Sequence, residues 1–116
     1  MKQIKAYIRP AVADHVIDMI EDRSADSPGI AASELRIYGH PDDSDPLERS
    51  HLAKLEIVVR DEDAERVTKI ILEYAQTGRS GDGAIYVTEV TDAIRIRNGE
   101  RGRDAVHSVF EESASD

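Results

Sequence analysis

The stretch Gln76-Thr77-Gly78-Arg79-Ser80-Gly81-Asp82-Gly83-Ala84-Ile85-Tyr86-Val87 ends one element and begins another. Upstream of it, Val67, Ile70, Ile71 and Tyr74 recur at helical spacing and form one apolar stripe, which Thr77-Gly78 stops. Downstream, Ile85 to Val90 reads as a strand. The three glycines between them let backbone N–H groups approach an anion with no Cβ in the way, and Arg95 and Arg97 stand just beyond the strand as bidentate counter-charges. On local pattern alone, ordinary hairpin or loop chemistry is the stronger reading of such a turn.

Working outward, Asp61-Glu62-Asp63 supplies the acidic start that suits the positive end of a helix. Before it, Leu55, Ile57 and Val59 alternate along a strand from Leu52 to Val59, and Ala32 to Tyr38 carries Leu35 and Ile37 on one face of another. At the N-terminus, Ile4-Lys5-Ala6-Tyr7-Ile8-Arg9 alternates and stops at Pro10. From Ala11 to Arg23, Val12, Val16, Met19 and Ile20 share a helical stripe, with Asp14, Asp18, Glu21 and Asp22 on the wet side. Ser24 to Gly29 is turn composition.

The order β-α-β-β-α-β predicts an α+β, ferredoxin-like fold: a four-stranded antiparallel sheet with both helices on one face. Apolar strand residues such as Ile4 and Leu55 look too numerous for one side of so small a sheet, which predicts association through the open face and the sheet edges. The domain is expected to span 1–103, followed by a tail over 104–116. Val106, Val109 and Phe110 would share one side of a short tail helix, if the tail is ordered at all. From Glu111 to Asp116 there is no apolar anchor, and disorder is expected.

The 116 residues fit one domain, with 40% hydrophobic residues, no Trp and one Phe: a modest core that favours assembly. A formal net charge of −9 argues against a general nucleic-acid binder, so a phosphorylated ligand has to be small and locally held. Without cysteine there is no disulfide framework and no thiolate chemistry. No apolar leader or spanning segment is apparent, and a cytoplasmic protein is expected.

Thr77-Gly78-x-x-Gly81-Asp82-Gly83, running through Ile85-Tyr86-Val87 to Ile94-Arg95-Ile96-Arg97-x-Gly99-Glu100, resembles the C-terminal signature of the PII signalling family. The likeness reaches back through Leu55 to Val59 and to Met1-Lys2-Gln3-Ile4, covering about Met1 to Arg103. It implies a homotrimer that binds an adenine nucleotide (ADP, AMP or ATP, with Mg²⁺ as a companion ion) between subunits and regulates a partner protein. It also implies contacts from Gly39, Gly81, Asp82, Gly83, Arg95 and Arg97, the arginines reaching in from the adjoining chain. If Arg95 and Arg97 lie on an extended segment, they point the same way and form a double fork for a polyphosphate.

Two departures separate this chain from the nitrogen regulator proper. Ala84 stands where the family pattern continues Gly-Asp-Gly with a cation, so ADP or AMP should bind at least as well as ATP unless Arg79, Arg101 or Arg103 compensates. The connector from Tyr38 to His51 is short and acidic, with no later tyrosine and without the family's Gly-Arg-Gln segment. That argues against uridylylation-type control and against 2-oxoglutarate sensing. His40, Asp42, Asp43, Asp45, Glu48, Arg49 and His51 are its candidate effector residues.

Imidazoles and carboxylates in that connector also permit a metal reading, but Pro41 and Pro46 among Asp and Ser make turn composition the stronger one, and no metal ligand is assigned. No catalytic residue is assigned either: there is no nucleophile elbow and no His-Glu-x-x-His, and neither His15 nor His107 has an evident partner. The resemblance to the PII family implies a regulator acting on a transporter or metabolic enzyme, a membrane being involved only indirectly through a transporter, with bicarbonate and nitrogen systems among the candidates. The competing reading is a divalent-metal-binding trimer of the cation-tolerance type.

Overall fold

The computed structural model describes residues 1–25, 29–38 and 51–110. Its elements are β1 (Lys2–Ile8), α1 (Pro10–Asp22), β2 (Ala31–Arg36), β3 (His51–Val59), α2 (Asp61–Ala75), β4 (Ala84–Glu89) and a 3₁₀ turn (Gly102–Ala105). The sheet order is β2-β3-β1-β4 with every neighbour antiparallel, the expected ferredoxin-like arrangement.

Local chemistry sets the boundaries. Pro10 cannot donate to a ladder, but its fixed φ suits the first helical position, so β1 ends and α1 begins around it. Helix α2 opens on Asp61, Glu62 and Asp63, and closes when Gln76 turns extended. Gly83 sits at φ +93°, and a Cβ there would lie 1.8 Å from the Tyr7 carbonyl oxygen. Only glycine lets the turn come that close to β1.

The core lies between the sheet and the two helices. Ile4, Ala6 and Ile8 of β1 and Ala53, Leu55, Ile57 and Val59 of β3 meet Val16 and Ile20 of α1 and Val67, Ile70 and Ile71 of α2. In the register Ile4 faces Ile57 and Ala6 faces Leu55, so Ile4 and Leu55 share the helix-covered face. This corrects the expectation that such residues spill onto both faces. The open face instead carries Tyr7, Leu52, Val58 and Tyr86 among Lys5, Lys54 and Glu56, a mixture with its own Lys54–Glu56 ion pair at 3.6 Å.

The segment after Glu100 also differs from the helix expected over 104–110. It makes the 3₁₀ turn at Gly102–Ala105 and then returns to the core, burying Val106, Val109 and Phe110. Val109 and Phe110 join the core cluster between sheet and helices, while Val106 is buried outside that cluster.

Candidate functional site: a glycine turn and an arginine hairpin

The turn between α2 and β4 is organised by one carboxylate. Asp82 accepts from the backbone N–H of Thr77 and of Gly78, both at 2.9 Å, from Thr77 Oγ1 at 2.5 Å, and from Arg9 Nε at 2.9 Å. Arg9 also donates from Nη2 to the Ser80 carbonyl at 2.7 Å. Burial opposes ionisation of Asp82, but the Thr77, Arg9 and Gly78 donors outweigh it and hold the carboxyl well below the usual carboxylate range. Gly78, Gly81 and Gly83 all have positive φ, which allows the chain to fold around this carboxylate.

The sequence reading placed Asp82 among nucleotide contacts; the structure gives it an internal task. The N–H groups of Thr77 and Gly78 are spent on Asp82, and that of Arg79 on Thr77 Oγ1 at 3.2 Å, so these three donors are engaged within the turn itself. Arg9 was missed because a lone arginine before a proline carries no local signal; its role appears only when β1 and the turn meet.

Two clefts flank the turn. One of about 610 Å³ lies on the open face, lined by Tyr7, Ile37, Leu52, residues 79–84 and Tyr86. A second of about 430 Å³ lies between the C-terminal end of α2 and β4, lined by Ile71, Leu72, Ala75, Gln76, Gly83 and Ile85 among others. Ala84 lines both. Thus the position where the family pattern has a cation does face open space beside the glycines.

Arg95 and Arg97 are at the other end of β4. They do not lie on an extended segment, as expected, but in a hairpin where Arg95 N donates to Glu100 O at 2.8 Å and Gly99 N donates to Arg95 O at 2.7 Å. Ile94 pairs with Arg101 across it. Arg97 is exposed in the turn, whereas Arg95 is held: Nη1 donates to Glu100 Oε1 at 2.9 Å and Nη2 to the Asp104 carbonyl at 3.1 Å. Arg95 is thus engaged within its own hairpin, and neither arginine lines the clefts beside the glycine turn of its own chain.

Gly39, His40, Asp42, Asp43, Asp45, Glu48 and Arg49 lie outside the described residues; His51 begins β3. Among the described residues there is no group of three His, Asp or Glu side chains placed to hold a metal ion. No helix among them is long and apolar enough to cross a membrane.

The model of the family "Nitrogen regulatory protein P-II" matches residues 1–100. The chain belongs to the P-II family. It is 38% identical over 114 residues to the nitrogen regulatory protein P-II of Rhizobium meliloti, with 91% of this chain and 100% of that one covered. The Haemophilus influenzae P-II matches at the same identity and coverage. Among solved structures, Arabidopsis thaliana PII bound to citrate superposes with a TM-score of 0.74 at 33% identity, covering 90% of each chain. P-II proteins are signal-transduction regulators, and this chain matches them along most of its length.

Proposed function

We propose that this P-II protein is a cytoplasmic homotrimer that binds adenine nucleotides in the clefts between subunits and signals through a partner protein. The single observation that carries the reading is the separation of its two anion-binding halves. The glycine turn precedes β4 and the arginine hairpin follows it, so the strand, roughly 20 Å long at 3.3 Å per residue, stands between them. One chain cannot close both on one phosphate group. Two neighbouring chains can, with the turn of one facing Arg95 and Arg97 of the next.

Exposed apolar groups favour such an assembly. Ile94 is half exposed and Ile96 is 99% exposed, while Tyr86 and Val87 lie open on the edge strand β4. Burial of these groups against another chain removes both the apolar patch and the unpaired edge. The ligand stabilises one assembly state by differential affinity, and docking of the partner follows that state. The partner is a transporter or a metabolic enzyme, and the chain acts by binding, not by catalysis.

Sedimentation equilibrium combined with calorimetric titration of AMP, ADP, ATP and divalent metals tests the reading. A trimer taking up nucleotide at three equivalent sites is the expected result. A stable monomer at micromolar concentration would remove the inter-subunit site, and metal uptake without nucleotide binding would favour the cation-tolerance alternative.

A further inference from the structure

We propose that residues 101–110 form a strut that positions the Arg95 guanidinium, with the buried Asp63 as its anchor. The proposal rests on the reading of Arg95 as a phosphate contact, and it concerns a segment that lies after the family match, which ends at residue 100.

Three groups downstream of Arg95 hold its guanidinium: Glu100 through Nη1, the Asp104 carbonyl through Nη2, and His107, whose Nε2 lies 3.4 Å from Nη2. The strut is in turn fixed to the core. Arg60 Nε donates to the Val106 carbonyl at 2.7 Å, Val109 N donates to Asp63 Oδ2 at 2.9 Å, and Ala25 N donates to the Val109 carbonyl at 2.8 Å. Val109 is 1% exposed and Phe110 6%, and the Arg66 guanidinium stands 4.1 Å from the Phe110 ring centroid.

Asp63 is the informative member. It is 5% exposed, in the first turn of α2, where an acidic side chain ordinarily faces water and its own helix terminus. Here it reaches instead to the Val109 amide, 46 residues away. A buried polar contact of this kind defines one arrangement of the segment and penalises the others. Arginine has many rotamers, and fixing one before the ligand arrives shifts the ordering cost from binding to folding.

A double-mutant cycle with ADP, read by calorimetry, tests the proposal. Asp63→Ala is expected to weaken ADP binding about fivefold, a loss of preorganisation, and to have no further effect in an Arg95→Ala background. Asp63→Asn, whose carbonyl accepts the same N–H, should restore affinity. Hydrogen exchange at the Arg95 and Gly99 amides should rise in Asp63→Ala without ligand, while exchange in β1 and β3 stays unchanged. Because Asp63→Ala removes a buried group, the surface variant His107→Ala runs in parallel; a smaller loss of the same Arg95-dependent kind is expected. If Asp63→Ala binds ADP as the wild type does, or loses the same factor with and without Arg95, the strut does not position this side chain. If Arg95→Ala itself binds normally, the site reading fails first and takes the proposal with it, an outcome distinguishable from failure of the strut alone.

Discussion

Arg9 and Asp82 are joined by a 2.9 Å hydrogen bond between Nε and Oδ1, which ties the end of β1 to a turn 73 residues later. The bond explains why the motif's acidic residue is part of the frame around the site. Replacing Asp82 with Ala removes at once the acceptor shared by the Thr77 and Gly78 N–H groups and Arg9 Nε. The expected destabilisation is about 2–4 kcal/mol, with loss of nucleotide binding as the turn opens. Urea unfolding at fixed protein concentration measures the first and calorimetry the second; wild-type values in both would show that the turn stands without its carboxylate.

Gly83→Ala should be still less tolerable per atom added. Its methyl group would meet the Tyr7 carbonyl at 1.8 Å while holding φ near +93°. Backbone has to move, and a loss of at least about 2 kcal/mol is expected. Gly78→Ala, with open space around its Cβ position, should cost about 1 kcal/mol from φ alone. A ranking in which Gly78→Ala is the worse would contradict the close approach of the turn to β1.

Replacing Arg95 and Arg97 together with Ala should weaken adenine-nucleotide binding more than tenfold, since two charge-assisted contacts at roughly 1.5–3 kcal/mol each are lost. Arg97 is the cleaner single test, because Arg95 also braces its own hairpin through Glu100 and Asp104. Unchanged affinity in the double variant would refute the site assignment.

Ala84→Lys should shift preference toward ATP over AMP. Two unit charges at about 4 Å interact by roughly 4 kcal/mol at an effective dielectric near 20, and desolvation with salt screening leaves a net shift of about 1 kcal/mol, several-fold in the affinity ratio. Both dissociation constants are compared at one salt and magnesium concentration. A reversed ratio would mean that position 84 faces away from the phosphates.

Acid should weaken the Glu62–Arg103 contact to the C-terminal strut in a defined window. The hydrogen bonds from Arg103 lower the Glu62 pKa from 4.5 to about 2, so the folded state binds this proton less readily than the unfolded chain. The stabilisation is present in full above the unfolded value and fades as pH falls from about 4.5 through about 2. Carboxyl-carbon NMR of Glu62 should follow this range in the wild type and return to the ordinary carboxylate range in Arg103→Ala. An unmoved titration in that variant would exclude the Glu62–Arg103 pair as the cause.

The sequence by itself determined the element order, the ferredoxin-like class and the family. Alternation in β1 and β3 and the stripes of α1 and α2 are local periodicities, and Pro10, Asp61–Asp63 and Thr77-Gly78 are local punctuation, so each is legible without knowing what packs where. Only the tertiary structure decided what depends on distant partners. Register put Ile4 and Leu55 on one face, Arg9 completed the turn around Asp82, and Asp63 turned inward to Val109. It also folded Arg95 and Arg97 into a hairpin that a dipeptide repeat alone made look extended. The physical reason is common to the first three: the free energy of a side chain is set by which donor, acceptor or apolar surface the fold brings to it, and sequence spacing does not encode a contact made across dozens of residues.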